Sequence, residues 1–227
     1  MATALVAAAG AGERLGGGKP KALAEIAGRP LVTWCLAALV RSSSVEALVI
    51  AAPAGFEEVL RGLASDAAPE LPATVVSGGS TRSRSVANAL DAAAAAELVL
   101  VHDAARPLVT PELVDRCVER LQSWRCDGVV AAARATDTVK ETDAGGRVIA
   151  TLERANLWAV QTPQVFKADL LRSALASAAL ERAYDDAQLV EAAGGDVRVV
   201  EAPRENMKVT TAFELRVAEL LLSARHS

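Results

Sequence analysis

The sequence has few cysteines, no excess of positive charge and no long hydrophobic run. Its 227 residues include three cysteines, Cys35, Cys117 and Cys126, and none of them belongs to a CxxC pair. An odd and scattered set predicts reduced thiols in a cytosolic protein rather than a disulfide framework or a zinc site. The formal net charge of −4 argues against a general nucleic-acid-binding protein, which would be basic. Any anion site must therefore be local.

The hydrophobic residues are spread over many short runs. They make up 52% of the chain, yet no run approaches the ~18 apolar residues that a membrane-spanning helix needs. No Lys or Arg precedes the first apolar stretch, which therefore predicts a strand rather than a secretory signal. We expect a cytoplasmic protein that forms a single domain over residues 1–227 and binds neither membrane nor nucleic acid.

Strand-length apolar runs alternate with segments of helical period along most of the chain. Val114, Cys117 and Val118, for example, share one face of a helix. Near-continuous apolar strands between amphipathic helices predict an α/β fold, with a mostly parallel sheet covered by helices on both faces. The predicted strands cover residues 4–8, 47–52, 74–76, 98–101, 128–132 and 197–200.

One stretch breaks this alternation. From Thr136 to Thr162, polar and β-branched residues alternate around the turn Ala144-Gly145-Gly146. This pattern predicts a β-hairpin. We expect residues 136–161 to form an arm that leaves the body of the domain, either to cover a site or to contact a partner subunit.

The first glycine-rich loop follows the first predicted strand. Two common phosphate-binding motifs do not fit it, because Glu13 stands where a Walker A loop needs its first glycine and Leu15 where GxGxxG needs its third. What remains is Gly10-x-Gly12-x-Arg14, followed by Lys21.

This loop offers open backbone N–H groups, a guanidinium and a flexible ammonium, which together suit a phosphate ligand. A flexible turn with solvated cations is the alternative, since short glycine motifs often occur without a ligand.

A second glycine pair precedes a predicted helix in "GGSTRSRSVANAL", residues 78–90. Arg82, Arg84 and Ser85 fall in the first turns of that helix, where the helix dipole disfavours cations. A bound anion would explain the two arginines. The alternative is an ordinary helix start on the surface, capped by a Ser or Thr side chain.

The third motif is "VHDAARP", in which Asp103 follows an apolar strand. The carboxyl edge of a parallel sheet is where open α/β folds bind ligands, and a carboxylate beside phosphates can hold Mg²⁺. Arg106 could contact the same ligand or simply pair with Asp103. His102 lacks a ligand partner at metal-binding spacing and is predicted to be a packed or capping residue.

Five further residues carry weaker signals. Thr138 and Arg154 lie on the predicted arm, and Lys208 lies in "NMKVT" before the last helix. By base rate each is more often a surface residue than a functional one. Asp185-Asp186 resembles the acidic N-terminus of a helix.

Taken in order, these segments resemble one family, the 2-C-methyl-D-erythritol 4-phosphate cytidylyltransferases of the non-mevalonate isoprenoid pathway. The resemblance extends from Ala7 to Thr211. Leu15 and Ala22 depart from the family pattern, which usually has Met and Gln there, and neither change removes a charge. The matching segments are "AAAGAGERLGGGKPKAL", "GGSTRSRSVANAL", "VHDAARP", "DTVKET", "LERANLWAVQTPQVF", "DDAQLVEAAG" and "ENMKVTT".

The resemblance implies a Rossmann-like nucleotidyltransferase domain whose β-arm interlocks a homodimer. It also implies a CTP site with Mg²⁺ or another divalent cation held at Asp103, and an acceptor site completed by the partner's arm. The residues implied for catalysis are Arg14, Lys21, Asp103 and Lys208; for CTP, Ala8, Ala9, Gly10, Arg14, Lys21, Gly79, Ser85, Asp103 and Arg106; for the acceptor, Asp103, Thr138, Arg154 and Lys208.

Two other functions remain open from the sequence. A cytidylyltransferase for another sugar-alcohol phosphate, such as ribitol 5-phosphate, would share the first loop and "DAARP". A non-catalytic nucleotide-binding module would need the loop but not Lys21, Asp103 and Lys208 together.

Overall fold

The protein is described by a computed structural model that covers residues 1–12, 18–176 and 183–225. The strands are β1 (Ala2–Ala7), β2 (Glu25–Ile26), β3 (Arg29–Pro30), β4 (Val45–Ala52), β5 (Ala73–Ser77), β6 (Leu98–Asp103), β7 (Gly128–Arg134), β8 (Lys140–Thr142), β9 (Val148–Thr151), β10 (Trp158–Lys167) and β11 (Val197–Glu201). The helices are α1 (Leu31–Val40), α2 (Glu57–Ala67), α3 (Arg82–Ala92), α4 (Pro111–Trp124), α5 (Ala168–Leu175), α6 (Asp186–Ala192) and α7 (Ala212–Arg225).

Seven strands form one mixed sheet in the order β11-β7-β10-β6-β1-β4-β5. Every neighbouring pair is parallel except the two pairs that involve β10, which runs antiparallel to both β6 and β7. The predicted α/β fold with a mostly parallel sheet is therefore confirmed.

The central strands β1, β4, β6 and β7 are buried on both faces of the sheet because they are apolar at successive positions. In β1, Ala4 and Val6 pack in the cluster that contains α1, α2 and α4, whereas Leu5 packs on the opposite side with α3, α5 and α6. This alternation follows from the two-residue period of a strand. A third, smaller cluster packs α7 against residues around β2.

Most strand predictions were short at one or both ends, although the first extended one residue beyond the end of β1. The strand predicted over 98–101 continues to Asp103, so this carboxylate is the last residue of β6 rather than the first residue of a loop. The largest omission was β10, a ten-residue strand inside the sheet. Its sequence contains Gln161, Thr162 and Gln164, polar residues that are buried here and that hide the apolar pattern.

The predicted hairpin is present, but it covers fewer residues than the predicted arm. Strands β8 and β9 pair antiparallel, and the amide of Gly146 donates to the carbonyl of Asp143 in the turn between them. Residues 158–161 of the predicted arm instead belong to β10 in the main sheet. Across the described ranges, no helix combines the length and the apolar composition that crossing a membrane requires.

Candidate functional site

A cavity of about 520 Å³ lies at the carboxyl ends of β1, β5 and β6. Parallel strands bring their carboxyl ends to one edge of the sheet, so the loops that follow them meet there. The residues that line the cavity are Ala7, Ala8, Ala9, Gly10, Ala11, Gly12, Lys21, Ala22, Gly79, Ser80, Thr81, Arg82, Ser85, Asp103, Ala104, Ala105, Lys208 and Thr210. Of the residues predicted to bind CTP, only Arg14 and Arg106 are absent from this list, and Arg14 lies outside the described residues.

The first loop is folded back so that Lys21 reaches the cavity. The amide of Lys21 donates to the carbonyl of Gly10 over 3.0 Å. Gly12 has a φ of +78°, and a Cβ placed there would lie 3.0 Å from the Lys21 backbone nitrogen. A glycine is therefore needed at position 12 both for its backbone conformation and for the close return of the chain.

The second loop touches the first across the cavity. A Cβ on Gly78 would lie 2.3 Å from the Cβ of Ala9, and one on Gly79 would lie 2.3 Å from the Cβ of Arg84. The hydroxyl of Ser85 accepts from the amide of Gly79 over 3.0 Å and donates to the carbonyl of Thr81 over 2.9 Å. Ser85 thus holds the glycine loop on the first turn of α3.

The predicted cap of this helix is confirmed, but the explanation of its cations was incomplete. Thr81 is the N-cap, accepting from the amide of Arg84. The charge of Arg82 is compensated by two carboxylates, Asp103 and Asp186, over 2.8 and 2.7 Å. A bound anion is therefore not required to explain Arg82.

Asp103 is the electrostatic centre of the site. Its Oδ1 accepts from Nε of Arg82, and its Oδ2 lies 2.6 Å from Nζ of Lys208. Burial on its own would raise the pKa of this carboxyl, but the charges and hydrogen bonds of Arg82 and Lys208 hold its pKa well below the usual range. Asp103 is therefore ionised at neutral pH, although only 5% of the residue is exposed.

Arg106 contacts the loop of Lys208 rather than pairing with Asp103. Its Nη1 donates to the carbonyl of Asn206 over 2.8 Å, two residues before Lys208. The buried amide of Asn206 in turn donates to Oε1 of Gln161 and to the carbonyl of Thr162. The Arg106–Asp103 pair considered from the sequence is replaced by a network that holds the loop of Lys208 against β10.

His102 is a packed residue, as predicted. Its ring is completely buried, with Nε2 3.3 Å from the carbonyl of Arg106 and Nδ1 3.0 Å from Oγ1 of Thr162. Since a carbonyl can only accept, we assign the proton to Nε2 and let Nδ1 accept from Thr162. Thr162 also accepts from the amide of Asp103, so this network supports the end of β6.

A second depression of about 490 Å³ adjoins the first and shares Lys208 and Thr210 with it. Its other walls include residues around the ends of β7 and β10 and Thr136 and Asp137 at the base of the hairpin. Thr138 and Arg154, predicted to bind the acceptor, are exposed and line neither depression. The guanidinium of Arg154 donates to the carbonyl of Thr136.

The acidic helix start predicted at Asp185-Asp186 is confirmed, but the contact of Asp186 with the site was missed in the sequence. Asp185 is the N-cap of α6, accepting from the amide of Gln188 as an acidic helix start should. Asp186, the next residue, is completely buried and pairs with Arg82. A second Asp after a cap was the available signal, but only the tertiary structure, which brings the first residue of α6 to the first residue of α3, reveals its partner.

The donor set fits a cation that arrives with phosphates rather than a preformed metal cage. Among the described residues, no three His, Cys, Asp or Glu side chains cluster closely enough to hold a metal ion. Asp103 supplies one carboxylate to the cavity wall. Mg²⁺ commonly binds through one or two carboxylates together with substrate phosphates. A single carboxylate on the wall of the cavity is consistent with this mode of binding.

Comparison with known proteins agrees with this geometry. The family model described as "IspD: 2-C-methyl-D-erythritol 4-phosphate cytidylyltransferase" matches residues 2–224. The chain is similar to the 2-C-methyl-D-erythritol 4-phosphate cytidylyltransferases of Parasynechococcus marenigrum (41% identical, 97% of each chain covered) and Microcystis aeruginosa (40% identical, 97% of this chain and 98% of the relative).

The solved structures that resemble this fold have the same enzyme names. A crystal structure of the Thermus thermophilus enzyme of that name superposes with a TM-score of 0.76 at 35% identity, covering 97% of this chain and 98% of that one. The 4-diphosphocytidyl-2C-methyl-D-erythritol synthase of Anaerococcus prevotii gives a TM-score of 0.85 at 26% identity, covering 98% and 96%. Because the family model matches nearly the whole chain, from residue 2 to residue 224, the chain belongs to the 2-C-methyl-D-erythritol 4-phosphate cytidylyltransferase family.

Proposed function

We propose that this chain transfers CMP from CTP to 2-C-methyl-D-erythritol 4-phosphate, giving 4-diphosphocytidyl-2-C-methyl-D-erythritol and pyrophosphate. The observation that carries the proposal is the juxtaposition of two glycine loops with Lys21, Asp103 and Lys208 around one cavity. The glycine loops can admit a nucleoside triphosphate, and Lys208 stands where this cavity meets the second depression. Donor and acceptor phosphates would therefore meet beside Asp103.

The reaction needs positioning more than acid–base chemistry. A phosphate oxygen of the acceptor attacks the α-phosphorus of CTP, and the bond to the bridging oxygen of the β-phosphate breaks as pyrophosphate leaves. No side-chain nucleophile is required, since the acceptor phosphate is already ionised. The protein must bring two anions together and stabilise the charge that moves to the leaving group.

Each cation has its own part in this scheme. Lys21, with Arg14, binds the triphosphate and stabilises the departing pyrophosphate. Lys208 binds the acceptor phosphate, for which it must exchange part of its contact with Asp103. Asp103 is the residue that would hold Mg²⁺, which supplies further charge neutralisation at the phosphates when it is bound.

The exposed arm residues serve the site of a second subunit in this proposal. Thr138 and Arg154 line neither depression of their own chain, so they contribute to acceptor binding only if the arm reaches a partner. A homodimer held through the arm fulfils that condition. We further propose a cytoplasmic location, in keeping with the three free and buried cysteines.

Pyrophosphate release tests the reaction directly. Each of CTP, UTP, ATP and GTP is combined with methylerythritol phosphate, ribitol 5-phosphate and other sugar-alcohol phosphates in the presence of Mg²⁺. We expect turnover with CTP and methylerythritol phosphate, because the compact pocket around Ala8, Gly10 and Gly79 suits a pyrimidine read by backbone groups. Preference for another acceptor would revise the substrate; equal turnover with ATP would overturn the nucleotide assignment; CTP binding without turnover would indicate a non-catalytic module.

A further inference from the structure

Arg82 joins two carboxylates that come from different parts of the fold. Arg82 is the first residue of α3, Asp103 the last residue of β6 and Asp186 the first residue of α6. The guanidinium uses Nε for Oδ1 of Asp103 and Nη1 for Oδ2 of Asp186, over 2.8 and 2.7 Å. Arg82 and Asp103 line the first cavity, whereas Asp186 lies behind them.

The burial of Asp186 is costly and is not explained by the helix it begins. Its side chain is completely buried, and within the described ranges Oδ1 finds no hydrogen-bond partner. Burial raises the pKa of this carboxyl, and the charge and hydrogen bond of Arg82 offset only part of that increase. Removing a carboxylate from water is strongly unfavourable unless a partner compensates its charge. Asp185 already caps α6, so the contact of Asp186 with Arg82 is the interaction that accounts for its position.

An arginine beside a single carboxylate tends to bind both oxygens with its planar fork. Here Nη1 of Arg82 donates to Asp186, so Asp103 accepts only one hydrogen bond from Arg82, from Nε to Oδ1. Oδ2 of Asp103 is thereby left to Lys208. Without Asp186, Arg82 could rotate to bind both oxygens of Asp103 and compete with Lys208 for Oδ2.

We propose that Asp186 is a positioning residue for phosphoryl transfer: it holds Arg82 in a one-oxygen contact with Asp103, so that the second oxygen of Asp103 stays available to Lys208 and to the reacting groups. This inference rests on the proposed function and adds a residue that contacts no substrate. The effect of Asp186 is transmitted entirely through Arg82.

The test measures kcat and the Kd for CTP in Asp186→Asn and in the matched control Asp185→Asn. Asn at 186 keeps the shape but not the charge, and we expect kcat to fall about 10- to 100-fold, the loss typical of outer-shell partners. The Kd for CTP, measured by calorimetry, should stay within about threefold, because the glycine loops are unaffected. Asn at 185 can still cap α6, and its kcat should stay within about twofold.

A double-mutant cycle separates positioning from general damage. If Asp186 acts through Arg82, then Arg82→Gln with Asp186→Asn should be no slower than Arg82→Gln alone, within about twofold. Losses that multiply, or a wild-type kcat for Asp186→Asn, would overturn the proposal. If Asp186→Asn does not fold, Asp186→Glu provides the second variant: it keeps the charge but moves the guanidinium, and an unchanged kcat there would also overturn it. Failure of the proposed function is separate, since the wild-type protein would then be inactive with methylerythritol phosphate.

Discussion

At the scale of single residues, Lys21 is the cation whose removal tests the triphosphate site most directly. Lys21 lines the cavity, and its backbone amide donates to the carbonyl of Gly10. We expect its ammonium to stabilise the departing pyrophosphate. Lys21→Ala should reduce kcat about 100-fold or more, the loss typical of one missing transition-state donor. The far-ultraviolet circular dichroism should be unchanged, because the residue adds little to the core.

The matched control is Lys19→Ala. Lys19 is an exposed cation two residues earlier in the same loop and does not line the cavity. Its removal changes the net charge by the same amount. An equal fall in kcat in the two variants would mean that the overall charge of the loop, rather than a contact made by Lys21, assists the reaction.

His102 gives the protein a predicted dependence of stability on pH. Burial lowers the pKa of its imidazole from 6.5 to about 4. The unfolded chain therefore takes up a proton between pH 6.5 and pH 4 that the folded chain does not, so stability is greatest above pH 6.5 and falls as the pH decreases. At 1.36 kcal/mol per pKa unit, His102 should lower the free energy of unfolding by about 2 kcal/mol between pH 7 and pH 4.5.

Urea unfolding of the wild type and of His102→Gln at several pH values checks this contribution. The variant is expected to be less stable at pH 7, because it loses buried hydrogen bonds, but the gap should narrow as the pH falls. Carboxylates such as Asp103 titrate in both proteins and cancel in the comparison. A gap that stays constant from pH 7 to pH 4.5 would show that His102 does not set the slope.

At the scale of elements, the site depends on how closely the loops after β1 and β5 approach. Gly78→Ala places a methyl group 2.3 Å from the Cβ of Ala9, so the two loops must separate. We expect the Kd for CTP to rise at least about tenfold, since the backbone donors of both loops serve one ligand. Calorimetric titration with CTP measures the change.

Gly62→Ala is the control for adding a methyl group. Gly62 lies in α2, and a Cβ there meets nothing within 4 Å. Alanine is the better helix former by about 1 kcal/mol, so this variant should bind CTP normally and unfold at a slightly higher temperature. Normal CTP binding by Gly78→Ala would contradict the requirement for close loops.

At the scale of the whole molecule, the proposed dimer predicts that two inactive variants can restore each other. If the arm crosses to a partner, Arg154 serves the neighbour's site and Lys208 its own. Arg154→Ala and Lys208→Ala homodimers should each be nearly inactive. A mixed dimer would have one site with both defects and one with neither, so random mixing should recover about a quarter of wild-type activity.

Native mass spectrometry must first confirm that hybrids form. Arg147→Ala, an exposed change near the tip of the same hairpin, should keep its activity and serves as the control for damage to the arm. If hybrids form and no activity returns, then every site lacks either Arg154 or Lys208, and the arm serves its own subunit.

Much of this molecule could be predicted from local sequence. Alternating apolar strands and amphipathic helices predicted the α/β fold, because burial on both faces of a sheet leaves a strong pattern. The turn at Gly145-Gly146 and the cap at Thr81 were likewise correct, since both depend on nearby residues. The antiparallel strand β10 was missed, because Gln161, Thr162 and Gln164 find their partners on distant elements.

The sequence by itself determined which chemical groups are available: glycine loops after the strands, Lys21 and Lys208 as cations, and Asp103 at a strand end. Only the tertiary structure decided how the charges are shared. Arg82 and Asp186 are 104 residues apart in the chain, and no local pattern joins them. Ion pairs between elements depend on distances through a low-dielectric interior rather than on spacing along the chain, and so the fold made Asp103 a shared carboxylate and placed Asp186 behind it.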